Sequence, residues 1–300
     1  MKKRVLFIAV GVVVVFAALA VLYAVPRPQT ATGFAMGSVL TQTYWGEGPA
    51  DAVTSAIHGL EQELTSGIDD VPALAEEIRR ASGGAFDPCL GALVKLWNIN
   101  SKPYLPTREE IEQALQEHEA DLGAYGKGAA CDKALHIIAG KAKAAVLNLG
   151  GNILTYGQKP RGKPFKIALR DPKGGPNDTM GVFTLKGTYF ISTSGSYEKY
   201  FERDGKRYHH IFDPATGYPA EREPGLISVT VVSREGDAPG ALGDALSTAC
   251  FVLGYRESLA LLAKYGCDAL FIYEDGEVCA TGDAKAYFTL DGQAYHWGGV

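Results

Sequence analysis

The sequence predicts an α+β fold: a single compact domain of mixed and antiparallel sheets flanked by helices, preceded by an N-terminal hydrophobic helix. Three observations point there. Runs with helical spacing and runs with strand alternation both occur, several of each. Gly-rich turns punctuate them, with no internal repeat or low-complexity tract. At 300 residues and 46% hydrophobic content, the chain is long enough to bury a real core.

The elements follow in order. Lys2-Lys3-Arg4 precede an unbroken apolar run from Val5 to Val25, close to the roughly twenty residues that a bilayer-spanning helix needs. The basic flank is expected to stay in the cytoplasm, which places everything after Pro26 on the extracytoplasmic side of the cell membrane. An uncleaved anchor over 1–25 is favoured over a removed signal peptide, for which Ala18-Leu19-Ala20 and Ala24 offer small-residue sites. No Cys follows the run to carry a lipid. Residues 26–33 read as a linker, and 34–300 as the folded domain. Alternation of Val39, Thr41, Thr43 and Trp45 predicts a strand over 34–46. Val53, Ile57, Leu60 and Leu64 repeat at helical spacing behind Asp51. A second helix over 72–82 ends at Gly83-Gly84. Thr107 to Glu110 form a T-x-x-E capping box for a helix running to about Glu119. Strands are expected at 144–149, 165–170, 188–193, 226–233 and 269–273, with helices at 238–253 and 255–265 separated by Gly254.

Composition narrows the function. Net charge is −5 with a pI near 5.7, and no Lys/Arg run appears beyond the N-terminus, which argues against a nucleic-acid partner. Cysteines 89, 131, 250, 267 and 279 are scattered and odd in number, without CxxC or zinc spacing, and read as small core residues.

Four segments offer chemistry. In 207–220, RYHHIFDPATGYPA, His210 and Asp213 flank an apolar pair and Pro214 fixes a turn. Either they are a base and its partner, or they are a hydrogen-bonded strand end. His209 and His210 point to opposite faces of an alternating strand, so one of them faces any site there. In 238–253, Asp244, Ser247 and Thr248 share one helix face, where they are oxygen ligands for a hard cation or, alternatively, a cap and a back-bonded hydroxyl. In 120–133, Gly123, Gly126 and Gly128 with Lys127 form a tight loop entering a helix, either an anion cradle or a plain turn. In 191–201, ISTSGSYEKYF clusters hydroxyls without a G-x-S-x-G elbow.

Together these strings resemble the ApbE family of FAD:protein FMN transferases, from about Phe34 to Phe288 and in family order. The resemblance rests on M-G-S at Met36, G-A-F-D-P at Gly84–Pro88 with Leu96-Trp97, D-L-G-x-x-x-K-G at Asp121–Gly128, G-G-N-I at Gly150–Ile153, H-H-I-F-D-P at His209–Pro214, and G-D-A-L-S-T-A at Gly243–Ala249. It implies a fold related to the T-fold. It implies FAD as substrate, contacted by Met36, Ala85, Phe86, Asp87, Asp121, Lys127 and Phe212. It implies Mg²⁺ held by Asp244, Thr248 and the carbonyl of Ala124. His210 is the candidate general base for the acceptor hydroxyl, as its residue type suits that task, and Asp213 is the second catalytic candidate, either orienting His210 or contacting the acceptor. The implied partner is an acceptor protein with a Thr or Ser flavinylation site, a redox-complex subunit or an FMN-binding domain protein. Two stretches are shorter than the family's, after Ser66 and between Glu119 and Asp121, and the first removes an aromatic that packs on the cofactor. Tyr44, Trp45 and Trp97 are the aromatics expected to replace it. An FAD pyrophosphatase and a non-catalytic flavin-binding protein are the other readings.

Overall fold

The computed structural model describes residues 27–65, 71–121, 123–222, 225–234, 240–291 and 294–299. The expected anchor over 1–25 lies outside these residues, and no helix among them is long and apolar enough to cross a membrane.

The chain opens with β1 (Pro28–Ala35) and β2 (Ser38–Trp45), then α1 (Ala50–Thr65), α2 (Ala73–Ala81), α3 (Gly91–Trp97), α4 (Arg108–Ala114) and α5 (Gly126–Ile138). Strands β3 (Ala144–Leu149), β4 (Asn152–Gly157), β5 (Phe165–Arg170), β6 (Thr179–Leu185), β7 (Tyr189–Gly195), β8 (Tyr200–Arg203), β9 (Lys206–His209) and β10 (Leu226–Arg234) follow. The chain closes with α6 (Gly240–Leu253), α7 (Tyr255–Tyr265), β11 (Asp268–Tyr273), β12 (Glu277–Ala280), α8 (Ala284–Tyr287), β13 (Phe288–Leu290) and β14 (His296–Trp297).

Nine strands form one sheet in the order β1-β2-β3-β4-β7-β10-β11-β12-β14, antiparallel except for the last pair. One face packs on α1, α5, α6 and α7, and the other on a three-stranded sheet, β13-β6-β5. Coverage on both faces explains why the central strand β10 is an unbroken hydrophobic and hydroxyl run, buried from Leu226 to Ser233. The hairpin β8–β9 stands apart and closes over Trp97, whose ring neighbours are Phe201, Tyr208, Phe212 and Tyr218.

Three expectations change. Residues 28–33, read as linker, belong to β1, which pairs along its length with β2 from Pro28↔Trp45 to Ala35↔Ser38. Its polar sequence suits an edge strand whose outer side meets water. The strand expected over 34–46 is accordingly broken by a two-residue turn. Met36 and Gly37 both take positive φ (50° and 67°), the backbone of a tight hairpin. The capping box at Thr107 forms with both of its hydrogen bonds, but α4 stops at Ala114. The segment beyond it runs back along the first motif, with Glu119 bridged to Leu90 and the Asp121 amide donating to the Pro88 carbonyl at 2.7 Å. That path, rather than a helix running into the Gly-rich loop, places Asp121. All five cysteines are free. Three are buried, and Cys89 and Cys279 are half-buried.

Candidate active site

The site is built where α5 and α6 touch. A Cβ on Gly128 would lie 2.2 Å from the Gly240 carbonyl oxygen, so only glycine allows this approach. Each helix then caps the other. Asp132 of α5 accepts the amides of Gly240 (2.6 Å) and Ala241 (2.8 Å) at the start of α6. Asp244 of α6 accepts the amide of Gly128, in the first turn of α5, at 2.9 Å. Its other oxygen accepts the side-chain amide of Asn152, at the start of β4, at 3.1 Å. Asp244 is only 3% exposed, and these donors offset the cost of holding its carboxylate there. The aspartate therefore caps a neighbouring helix rather than its own.

One helical turn on, Thr248 meets the sheet. Ser194 of β7 lies 3.2 Å from the Thr248 hydroxyl and 2.7 Å from that of Ser247, which donates to the Asp244 carbonyl at 2.8 Å. A cleft of about 360 Å³ opens beside this row. Ala85, Phe86, Asp87, Asp121, Ala124, Lys127, His210, Phe212, Asp244 and Thr248 all line it. The structure thus brings ten of the twelve expected site residues to one wall system. Met36 is not among them, because it forms the β1–β2 turn and packs with the apolar cluster under α1. Asp213 is not among them either. Its carboxylate accepts the Ala215 amide at 2.9 Å and pairs with Arg222 at 3.6 Å, so it fixes the turn and has no bond to His210.

The two histidines do different work. His209 is buried, accepts the Ile211 amide at Nδ1 (3.2 Å) and so donates from Nε2 to the Ala220 carbonyl (3.0 Å). Burial pushes its pKa down to about 4. His210 lines the cleft, with Nδ1 3.3 Å from the Lys199 carbonyl. A donating Nδ1–H there leaves Nε2 as a free lone pair. Burial, and then the positive charges of Lys199 and Lys127, push its pKa down to about 3, so the ring is neutral at physiological pH.

Sequence reasoning singled out the hydroxyls of 191–201 but assigned none of that segment's wall residues, Thr193, Ser194, Glu198 and Lys199, to the site, and it missed Asn100. Burial raises the Glu198 carboxyl, against the lowering effect of Lys127, Arg170 and Lys199, and burial followed by Lys127 lowers the Lys199 ammonium. The signal available was the charged Glu-Lys pair ending a strand of apolar and hydroxyl residues. Alternation alone does not show which of the clustered hydroxyls turns toward α6.

The donors around Thr248 are oxygens only: one carboxylate in Asp244, the hydroxyls of Thr248, Ser194 and Ser247, and Ala124 across the cleft. Among the described residues no group of three His, Cys, Asp or Glu side chains is gathered to cage a metal. One carboxylate with hydroxyl and carbonyl oxygens fits Mg²⁺, which completes its shell from phosphate and water, and does not fit zinc.

A model of the ApbE family matches residues 52–271. The chain belongs to the ApbE family. It is 38% identical over 237 residues to an FAD:protein FMN transferase of Treponema pallidum (67% of this chain, 64% of that protein). It is 30% identical over 269 residues to one of Rhodobacter capsulatus (81% of this chain, 49% of that protein). The chain thus spans about two thirds and about half of the lengths of these two relatives. Among solved structures, the ApbE protein of Thermotoga maritima superposes with a TM-score of 0.75 at 27% identity, covering 87% of this chain and 99% of that one. The apo flavinyl transferase ApbE of Pseudomonas stutzeri gives 0.65 at 26% identity, covering 88% and 94%. The ApbE fold of the domain is therefore established on both sequence and structure.

Proposed function

We propose that this chain is a membrane-tethered, extracytoplasmic FAD:protein FMN transferase. It takes FAD and a protein hydroxyl, on Thr or Ser, and yields a phosphoester-linked FMN and AMP. The observation that carries this reading is the meeting of Lys127, His210, Asp244 and Thr248 on one cleft, from three separate segments of the chain.

The chemistry is phosphoryl transfer, so positioning and charge neutralisation carry it. The acceptor oxygen attacks the FMN-side phosphorus, and the bond from that phosphorus to the oxygen of the AMP phosphate breaks. His210 is placed to take the hydroxyl proton at Nε2, while the Lys199 carbonyl holds the ring through Nδ1. Its low pKa leaves that lone pair unprotonated at neutral pH, and a bound diphosphate, by offsetting the charges of Lys199 and Lys127 that depress it, would raise its proton affinity toward the range a general base needs. Lys127, in the first turn of α5, adds its charge and the helix N-terminus to the diphosphate side. Asp244, Thr248 and the Ala124 carbonyl would hold Mg²⁺, which when bound neutralises the diphosphate and the leaving AMP. Phe86 and Phe212 supply apolar wall for the flavin nucleotide.

Co-expression with a candidate acceptor, followed by intact mass measurement, tests the reading. A gain of one FMN less one water on a Thr or Ser supports it. Release of FMN and AMP without an adduct would make the protein an FAD pyrophosphatase. Retained FAD with neither product would make it a flavin-binding protein.

A further inference from the structure

The sequence contains no contiguous basic run after the N-terminus, yet the fold assembles a basic surface. Between Lys133 and Arg170 there is no Asp or Glu, and the stretch carries Lys133, Lys141, Lys143, Lys159, Arg161, Lys163, Lys166 and Arg170. Strand register decides where these side chains go. Pro28 pairs with Trp45, Trp45 with Ala144, and Ala144 with Gly157, so one end of the sheet collects Arg27, Lys143 and Lys159. Phe165 pairs with Leu185 and packs its ring on Trp45, which brings Lys163 and Lys186 to the same end. Lys141 lies in the turn between α5 and β3 there.

A hollow of about 260 Å³ sits in this surface, lined by Lys159, Lys163, Lys186 and the glycines at 157, 162 and 187. Lys141, Lys143, Lys163 and Lys186 are exposed, and none of them has an ion pair among the described residues. Lys159 is half-buried over the Trp45 ring at 4.7 Å. Burial and the charge of Lys163 lower its pKa, and its ammonium donates to the Pro164 carbonyl at 3.2 Å. Among the described residues, the carboxylates toward this end include Glu47, beside Trp45, Asp51 in the first turn of α1 and, across β10, Asp268 and Asp283 near Arg234.

The tether supplies the second observation. With β1 beginning at Pro28, only Pro26 and Arg27 separate the apolar run ending at Val25 from the sheet. Two residues span at most about 7 Å, so an anchored chain holds this end of the sheet against the bilayer. The candidate active site is at the other end of the strands, beside Gly150-Gly151 and Ser194. Strands of this length separate the two ends by roughly 20 Å.

We propose that the surface formed by Lys141, Lys143, Lys159, Lys163 and Lys186 docks on anionic lipid headgroups, with the hollow between Lys159, Lys163 and Lys186 receiving one headgroup phosphate. The domain then stands on the membrane with its cleft turned away from the bilayer, toward an acceptor in the aqueous phase. This rests on the tethered reading above. Each lysine near an anionic surface strengthens the association about fivefold.

Lysine acetylation of the full chain in nanodiscs tests it, comparing phosphatidylglycerol with phosphatidylcholine discs. Labelling of Lys141, Lys143, Lys163 and Lys186 is expected to fall about fivefold or more in phosphatidylglycerol. Lys102 and Lys264, which lie outside this surface, label equally in both. Charge removal by Lys141→Gln, Lys143→Gln, Lys163→Gln and Lys186→Gln together is expected to leave transfer to a soluble acceptor unchanged. In that variant, Lys159 should become equally reactive in the two lipids. Equal labelling of the native chain in both discs overturns the docking surface while leaving the tether intact. Protection by inorganic phosphate in phosphatidylcholine discs, equal to that by phosphatidylglycerol, overturns it in favour of a free-anion pocket. Recovery of the chain outside both discs refutes the tether and this surface with it.

Discussion

Adjacent histidines show how one residue position separates a cleft-facing ring from a packed one. His209 spends both ring nitrogens on backbone and packs edge-on against Phe251, whereas His210 keeps Nε2 open to the cleft. His210→Ala is expected to lower transfer by about a hundredfold or more while FAD still binds, because general-base contributions are of that order. Transfer undiminished in this variant would remove His210 from the mechanism. His209→Ala is expected to act on stability instead, since it leaves the Ile211 amide and Ala220 carbonyl unpaired, at about 1–3 kcal/mol. The same histidine gives a pH dependence. Its folded pKa of about 4 lies below the unfolded 6.5, so between those values the unfolded chain binds the extra proton. Stability contributed by neutral His209 is therefore complete above pH 6.5 and falls as pH drops toward 4, by about 3 kcal/mol in all. Glu198 and Asp132 act in the opposite sense, because burial raises them and the folded state takes up their protons first. Comparing thermal unfolding of the native chain with His209→Gln from pH 7 to pH 5 isolates the histidine. An equal pH slope in the two proteins would show that His209 does not carry it.

At the scale of elements, the α5–α6 pair is the unit that makes the site. Two aspartates each satisfy the orphan amides of the other helix, so the carboxylate proposed as a metal ligand and the helix contact are one construction. Asp132→Ala is expected to cost about 1–2 kcal/mol, as a lost N-cap does, and to raise KM for FAD more than it lowers kcat through displacement of α6. An unchanged melting temperature would contradict this. Gly128→Ala puts a methyl 2.2 Å from the Gly240 oxygen and 2.7 Å from the Asp244 Cβ, and is expected to destabilise by about 3 kcal/mol or more. Asp244→Ala should abolish transfer and EDTA should reproduce the loss, but only the mutation should lower the melting temperature, because only it removes the cap. Full transfer in EDTA would remove the metal from the mechanism. The sequence showed Asp244 on a helix face with Thr248, and β3, β5 and α7 at the residues where they occur. It did not show that the capped helix is α5, since that partnership joins residues more than a hundred positions apart. Nor did alternation reveal β6, β8 or β9, which are short or interrupted, or the turn that takes Met36 out of the cleft.

For the whole molecule, the proposed function turns on how firmly this cleft would grip a ligand as long as FAD. The residues that carry the family's motifs were legible because each motif is local. The enclosure around them was not, because it depends on how loops of this particular length fold back. Residues 67–70, the first shortened stretch, lie outside the described residues, and the second lies flat along Leu90. None of the expected substitute aromatics is free to help. Trp97 is fully buried, with Nε1 donating to the Gly217 carbonyl at 3.0 Å. Tyr44 is buried and donates to Gln42, and Trp45 lies at the far end of the sheet under Lys159. The aromatic wall residues among the described ones, Phe86 and Phe212, are only 2% and 6% exposed, so little of either ring's surface is open to a ligand. Losing one stacking aromatic costs roughly 1–3 kcal/mol, or about ten- to a hundredfold in affinity. Calorimetric titration of the Mg²⁺-loaded chain is therefore expected to give an FAD dissociation constant in the micromolar range, with binding still dependent on Lys127. Submicromolar affinity would mean that residues around 67–70 restore the missing wall. Binding unchanged in Lys127→Ala would instead place FAD somewhere other than this cleft.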